Sequence, residues 1–262
     1  MSTVALTTRR DYLDGQRRTI IARAVAGSIA SALPIPVLDD WAVGAIVGSG
    51  YRRIAEAHQI DIDDEAIHAL VHGTAKPRSI FSIATGGVLM RLAGKTAKRM
   101  MVVLATVSRA RSAARTFMTM TLFDHYCARL HTGLAIDSAT ALALREEIGR
   151  AIDATPGALS FHPFRRGAMA AARATLRAPL ELADIVSRGA VRKLLARGQD
   201  VTEAEAVDDL DNTIEMALAS KTGFLSRTVA AVEVQLSSER NPFLDTALDN
   251  LDRRWRARLA VK

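Results

Sequence analysis

The chain carries one cysteine, Cys127, so no intramolecular disulfide can form, which agrees with a reducing cytoplasm. Aromatic residues make up only 5% of the sequence, with Trp41, Trp255, Tyr12, Tyr51 and Tyr126 scattered along it. Proteins that grip single-stranded nucleic acid interleave aromatics with basic residues, so nucleic acid is not an expected partner. No long hydrophobic run is present. The longest charge-free stretch is Ala24–Leu38, fifteen residues interrupted by Pro34 and Pro36. That falls short of the roughly 18–20 residues a spanning helix needs. Met1–Asp14 is polar without an apolar leader region, so no secretory signal is expected. Alternating β-branched strands and Asn-Gly or Asp-Gly hairpin turns are missing as well, which argues against a β fold. The absence with most content is of negative charge. Between Glu65 and Asp124 there is no Asp or Glu, while Lys76, Arg78, Arg91, Lys95, Lys98, Arg99, Arg109, Arg111 and Arg115 all fall there.

The acid-free stretch is also greasy, with Ile80–Phe81, Val88–Leu89–Met90 and Met100–Leu104 set among the cations. Solvated faces usually mix both signs of charge. A segment both apolar and purely basic suits the headgroup layer of an anionic bilayer. Over the whole chain the apolar fraction is 49% and the net charge +7, enough grease for a real core and a balance that favours anionic partners.

Apolar residues recur at spacings of three and four, and alanine is abundant, so the expected fold is all-α: a helical hairpin-based bundle with additional long amphipathic helices. The first helix is expected over Asp14–Leu33, ended by Pro34-Ile35-Pro36. A second runs from Asp39–Asp40 to about His58, with Asp39 or Asp40 as N-cap. Gly27, Gly44 and Gly48 are small enough to let these two helices approach closely, the latter pair facing helix one, so residues 17–58 read as one antiparallel hairpin. Ile60–Asp63 reads as a connector, Asp63 as the cap of a helix over Asp64–His72, and Gly73 and Pro77 as its end. Segments 79–93 and 97–115 follow, then helices over Arg115–Leu130 and from Asp137 or Ser138 to Ala154. Further on, Thr202 and Glu205 have capping-box spacing before an acidic helix, and Leu244, Leu248, Leu251, Trp255 and Leu259 form a last apolar stripe. No internal repeat is evident. The expected organisation is a polar segment 1–16, a helical hairpin domain 17–135 and a C-terminal helical region 136–262.

Several of these features occur together in a known family. Ile20–Leu33 as a small-residue helix, the Pro34-Ile35-Pro36-Val37-Leu38-Asp39 turn, Trp41–Tyr51 and the His58-Gln59-Ile60-Asp61-Ile62 exit resemble bacterial YcjF-type proteins and, more distantly, EcsC-like ones. A weaker echo continues at Thr119–His131. Members occur alone or joined to Era/TrmE-like GTPase domains. The resemblance spans about residues 17–135 and implies an all-helical, membrane-associated domain with no established activity. The GTPase itself is not on this chain: no Gly-x-x-x-x-Gly-Lys-Ser/Thr loop is present, and Gly86-Gly87 with Gly94-Lys95-Thr96 has the wrong spacing.

No catalytic signature is legible, so the chain is expected not to be an enzyme and to need no cofactor or metal. Glu65, His68 and His72 share a helix face, but one Glu-x-x-His copy does not make a di-metal site, and a solvated face is the expected reading. Cys127 lies four residues from His131, a spacing that permits contact, yet core packing is the simpler expectation. Arg91, Lys95, Lys98, Arg99, Arg109, Arg111 and Arg115 are the candidate anionic-surface residues. The competing arrangement pairs them with the acidic face over 203–215. The expected function is a non-enzymatic membrane-associated helical protein or scaffold on the cytoplasmic face of a bacterial inner membrane. The alternative is a soluble adaptor for a protein partner such as a separately encoded small GTPase.

Overall fold

A computed structural model describes residues 11–30, 38–74, 107–160, 162–167, 203–220, 223–238 and 242–260. Helix α1 (Asp11–Ala30) is followed by α2 (Leu38–Ala57), the two-residue strand β1 (Asp61–Ile62) and α3 (Asp64–His72). Then come α4 (Val107–Arg129), strand β2 (Ala135–Ile136), α5 (Ser138–Asp153) and a short helix α6 over 162–167. Helices α7 (Glu203–Ala219), α8 (Phe224–Ser238) and α9 (Pro242–Ala260) complete the described chain. The fold is all-α, as its patterning implies.

Helix α1 is the axis of the core. Ile20, Ile21, Ala22, Ala24 and Ala30 are wholly or almost wholly buried, enclosed by α2, α4 and α8. Helices α1 and α2 run antiparallel. Gly27 faces Val47 and Ile46, while Gly50 faces Arg23, so advancing along one helix means retreating along the other. The apolar side chains of the described parts of α1 and α2 are therefore largely used inside the core. Pro34 and Pro36, its expected tip, lie outside the described residues. Asp39 and Asp40 fall within the first turn of α2, which begins at Leu38. Gly44 and Gly48 do not face helix one. A Cβ at Gly44 would lie 2.8 Å from His72 Nε2, and one at Gly48 would lie 3.0 Å from Ile67 Cγ2, so this small-residue pair seats α3. The close approach to α1 comes instead at Gly50.

The stretch Ile60–Asp63 is more than a connector. Helix α2 ends with Gln59 in the left-handed region at φ 58°, Gln59 N–H donating to Glu56 O and Ile60 N–H to Ala55 O, both at 2.9 Å. This double closure reverses the chain and delivers Asp61–Ile62 beside Ala135–Ile136 as a parallel pair, Asp61 opposite Ala135 and Ile62 opposite Ile136. In each strand the next residue is an aspartate N-cap. Asp63 accepts from Ala66 N–H and Asp137 from Thr140 N–H, each at 2.7 Å and with nearly identical backbone angles. A helix–strand–helix unit thus occurs twice, as α2–β1–α3 and α4–β2–α5, a repeat not evident from the sequence. The helices after the strands pack together. Arg145 of α5 donates to the Leu70 and Val71 carbonyls at the end of α3, where Gly73 turns the chain at φ 69°.

Helix α4 starts at Val107 and passes Arg115 without a break, so the separate helices expected on either side of Arg115 are one element. The core is continuous across residues 135 and 136. Ile136, Leu144, Leu210, Val229, Leu248 and Trp255 belong to the same buried cluster as Ile21 and Phe123. Tyr126 meets Trp255 edge-on at 4.9 Å and Tyr51 meets Phe123 in the same way at 4.9 Å.

Candidate functional site

The candidate anionic-surface residues are only partly within the described chain. Arg91, Lys95, Lys98 and Arg99 lie outside it, as do the apolar runs at Ile80–Phe81, Val88–Met90 and Met100–Leu104. Arg109, Arg111 and Arg115 sit in the first half of α4. Arg111 and Arg115 are exposed, while Ala110, Ala113 and Ala114 turn into the core, so these two cations lie on the outer face of α4.

Four charged groups meet where α7 crosses the hairpin. Arg23, near the middle of the small-residue helix α1, has no exposed side-chain surface. Its Nη2 donates to Asp211 Oδ1 at 2.5 Å and to Glu215 Oε1 at 2.8 Å. Arg53 of α2 approaches from the other side, Nε and Nη2 donating to Asp211 Oδ2 at 2.7 and 2.5 Å. Gly50 makes room for this, because a Cβ there would come within 3.1 Å of Arg23 Cγ. Leu210 and Ile214 anchor α7 in the core on either side of Asp211. The four charges balance, yet Arg23 Nε and Nη1 are buried with no hydrogen-bond partner among the described residues. Desolvation pushes the Asp211 carboxyl up, but the Arg53 hydrogen bond, the Arg23 charge and the Ser49 hydroxyl outweigh it and hold the group below the usual carboxylate range. Two carboxylates of the acidic face over 203–215, Asp211 and Glu215, are thus answered from Arg23 and Arg53.

A second polar set lines α4. Asp124 has no exposed side-chain surface; His58 Nε2 lies 2.6 Å from its Oδ1, and Oδ2 is without a partner. Burial raises the Asp124 carboxyl above its ordinary value, and the His58 hydrogen bond and charge only partly reverse this. One residue on, His125 bridges two helices. Its Nδ1 takes the Tyr12 hydroxyl of α1 at 2.5 Å, and its Nε2 meets Asp252 Oδ1 of α9 at 2.6 Å. The Arg129 guanidinium covers the Tyr12 ring at 4.7 Å.

Cys127 and His131 are not paired. The thiol is buried in the core and burial pushes it up, away from the thiolate, whereas His131 Nδ1 meets the Tyr126 hydroxyl at 3.1 Å. The face shared by Glu65, His68 and His72 is not a uniformly solvated one. Glu65 is exposed, but the His68 and His72 rings lie 5.0 Å apart and His72 rests against Gly44. Among the described residues no group of three His, Cys, Asp or Glu side chains could hold a metal ion, and no helix is long and apolar enough to cross a membrane.

No family model, curated protein or solved structure matches the chain. Its functional reading therefore rests on residues and geometry.

The two buried carboxylates give opposite pH dependences. Asp124 holds its proton more tightly folded than unfolded. In the window between the ordinary carboxylate range and its raised folded value, stability falls as pH rises. Asp211 is depressed, so its contribution is present above the unfolded carboxylate range and is lost as pH drops through its lowered folded value. Asp124→Asn is accordingly expected to melt above the parent protein at neutral pH. The gap should close below about pH 3, where the parent carboxyl is mostly protonated in both states. Thermal melts across pH check this; a gap that widens toward acid would contradict the assignment.

Proposed function

We propose that this chain is a non-enzymatic helical scaffold that attaches peripherally to the anionic cytoplasmic face of a bacterial membrane through its acid-free segment, residues 66–123. One observation carries the reading. Nine of the 35 Lys and Arg residues fall in that segment with no carboxylate among them, and the remaining 26 are outnumbered by 28 Asp and Glu. The whole net charge of +7 therefore originates in this one stretch, which also holds the apolar runs. Elsewhere carboxylates are engaged at home: Asp211 and Glu215 by Arg23 and Arg53, Glu146 and Glu147 by Arg150 and Arg258. Each cation held near an anionic leaflet contributes about 1 kcal/mol, so several acting together suffice for reversible attachment. The helical body would supply the rigid frame.

Vesicle flotation tests this. The full chain is expected to co-float with vesicles containing phosphatidylglycerol, to do so much less with phosphatidylcholine alone, and to be released by salt as the Debye length shortens. Charge reversal at Arg111 and Arg115 should weaken the association. A chain that remains at the bottom of the gradient with both lipids would remove the membrane reading. The adaptor reading, with a separately encoded GTPase as partner, would then take its place, favoured by the use of the hairpin's grease inside the core.

A further inference from the structure

Helix α7 carries its carboxylates to the two arginines of the α1–α2 hairpin as a phosphate-bearing surface would. We propose that α7 is an internal competitor: a strap that occupies a basic patch built from Arg23 and Arg53 and yields it to the phosphates of an anionic bilayer. This deepens the membrane reading and rests on it.

Three observations lead there. First, Arg23 is a fully buried cation in the middle of an otherwise small and apolar helix surface. Such a residue is costly unless paired, and among the described residues its partners belong to α7. With α7 lifted, Arg23 and Arg53 would lose Asp211 and Glu215 and stand beside Ser49, whose hydroxyl also serves Asp211. Second, the closed arrangement uses Arg23 poorly. One nitrogen serves both carboxylates, while Nε and Nη1 are buried without a partner among the described residues. A phosphate presents several acceptor oxygens around one centre and can engage the fork of a guanidinium where two separate carboxylates do not. The patch therefore has donor capacity that α7 leaves unused. Third, the strap is shallowly seated. Leu210 and Ile214 are its fully buried apolar side chains, Val207, Ala217 and Leu218 are only partly buried against the core, and its outer face, with Glu205, Asp208, Asn212 and Met216, is exposed. A surface helix seated in this way opens at lower cost than the core beneath it. A ligand that binds only the open form draws the population toward it in proportion to its differential affinity.

The test uses hydrogen exchange on the full chain, read at the amides of α7, alone, with phosphatidylcholine vesicles, with phosphatidylcholine–phosphatidylglycerol vesicles, and with inorganic phosphate. Protection of α7 is expected to fall several-fold with the anionic vesicles only. In flotation, Asp211→Asn/Glu215→Gln is expected to bind anionic vesicles several-fold more strongly than the parent, and Arg53→Gln less strongly. If the parent chain floats while α7 keeps its protection and the double variant gains nothing, the strap is wrong and attachment through residues 66–123 stands. If only the double variant floats, α7 does block the patch and the acid-free segment is not the anchor. If inorganic phosphate alone releases α7 to the same extent, the bilayer is the wrong source of the phosphate. If neither protein floats, both proposals fall. The exchange data on the parent chain decide the matter even where the double variant folds poorly.

Discussion

Replacing Arg23 by methionine is expected to cost about 3 kcal/mol, near the lower end of what removing one member of a buried ion pair does. The methionine fills the same lane past Gly50, so the loss is electrostatic rather than a cavity. It leaves Asp211, mostly buried, with Arg53 as its remaining arginine and Glu215 with a longer contact of 3.6 Å to the same side chain. For a chain of this size that corresponds to a melting temperature lower by roughly 6–12 °C. Adding Asp211→Asn and Glu215→Gln to Arg23→Met should recover part of the loss, because the uncompensated carboxylates then disappear with their partner. Differential scanning fluorimetry resolves both shifts. A single variant that melts within about 2 °C of the parent would mean that the cluster is rehydrated and holds nothing together.

The second large effect is expected at His125. Leucine there deletes both ring nitrogens at once, removing the bond to the Tyr12 hydroxyl on α1 and the bond to Asp252 on α9. His125 thus ties α4 to both of these helices at once. Asp252 retains some contact with water, so the expected cost is about 2 kcal/mol rather than that of a fully stranded charge. Its location should be visible: hydrogen exchange is expected to quicken in the first turns of α1 and in α9 around Asp252, with little change in α3. Cys127→Ala, two residues along, deletes only a small apolar volume from the core and should leave those amides as they are. Uniform loss of protection over the whole chain would argue against His125 as a local tie.

How far these features could be read from the chain alone depends on whether the signal is local. The all-α class, the Asp63 and Asp137 caps and the end of α3 at Gly73 are local matters of periodicity, side-chain capping and left-handed glycine, and all three are present. Gly44 and Gly48 were legible as a close-approach surface but not its partner, since a small-xxx-small spacing says nothing about which helix arrives. The partner proved to be α3, through Ile67 and His72. The charge cluster shows the same limit. Arg23 within an apolar helix and the acid run over 203–215 are both plain in the sequence, but they lie 188 residues apart along the chain at Arg23–Asp211, and complementarity alone offered the acids a choice of cations. The short strands were invisible for a different reason. Two residues have no measurable period, and Asp61–Ile62 and Ala135–Ile136 acquire strand geometry only from each other.

That mutual dependence reaches into how the polypeptide emerges. Asp61 finds its backbone acceptor, Leu134 O, only after more than seventy further residues have been made. The first helix–strand–helix unit therefore leaves the ribosome with its edge open and waits for its counterpart, a delay that loop-closure entropy lengthens. Nascent chains stopped just short of Ile136 lack the residue that completes the pairing, and they meet the cell as half of a matched set.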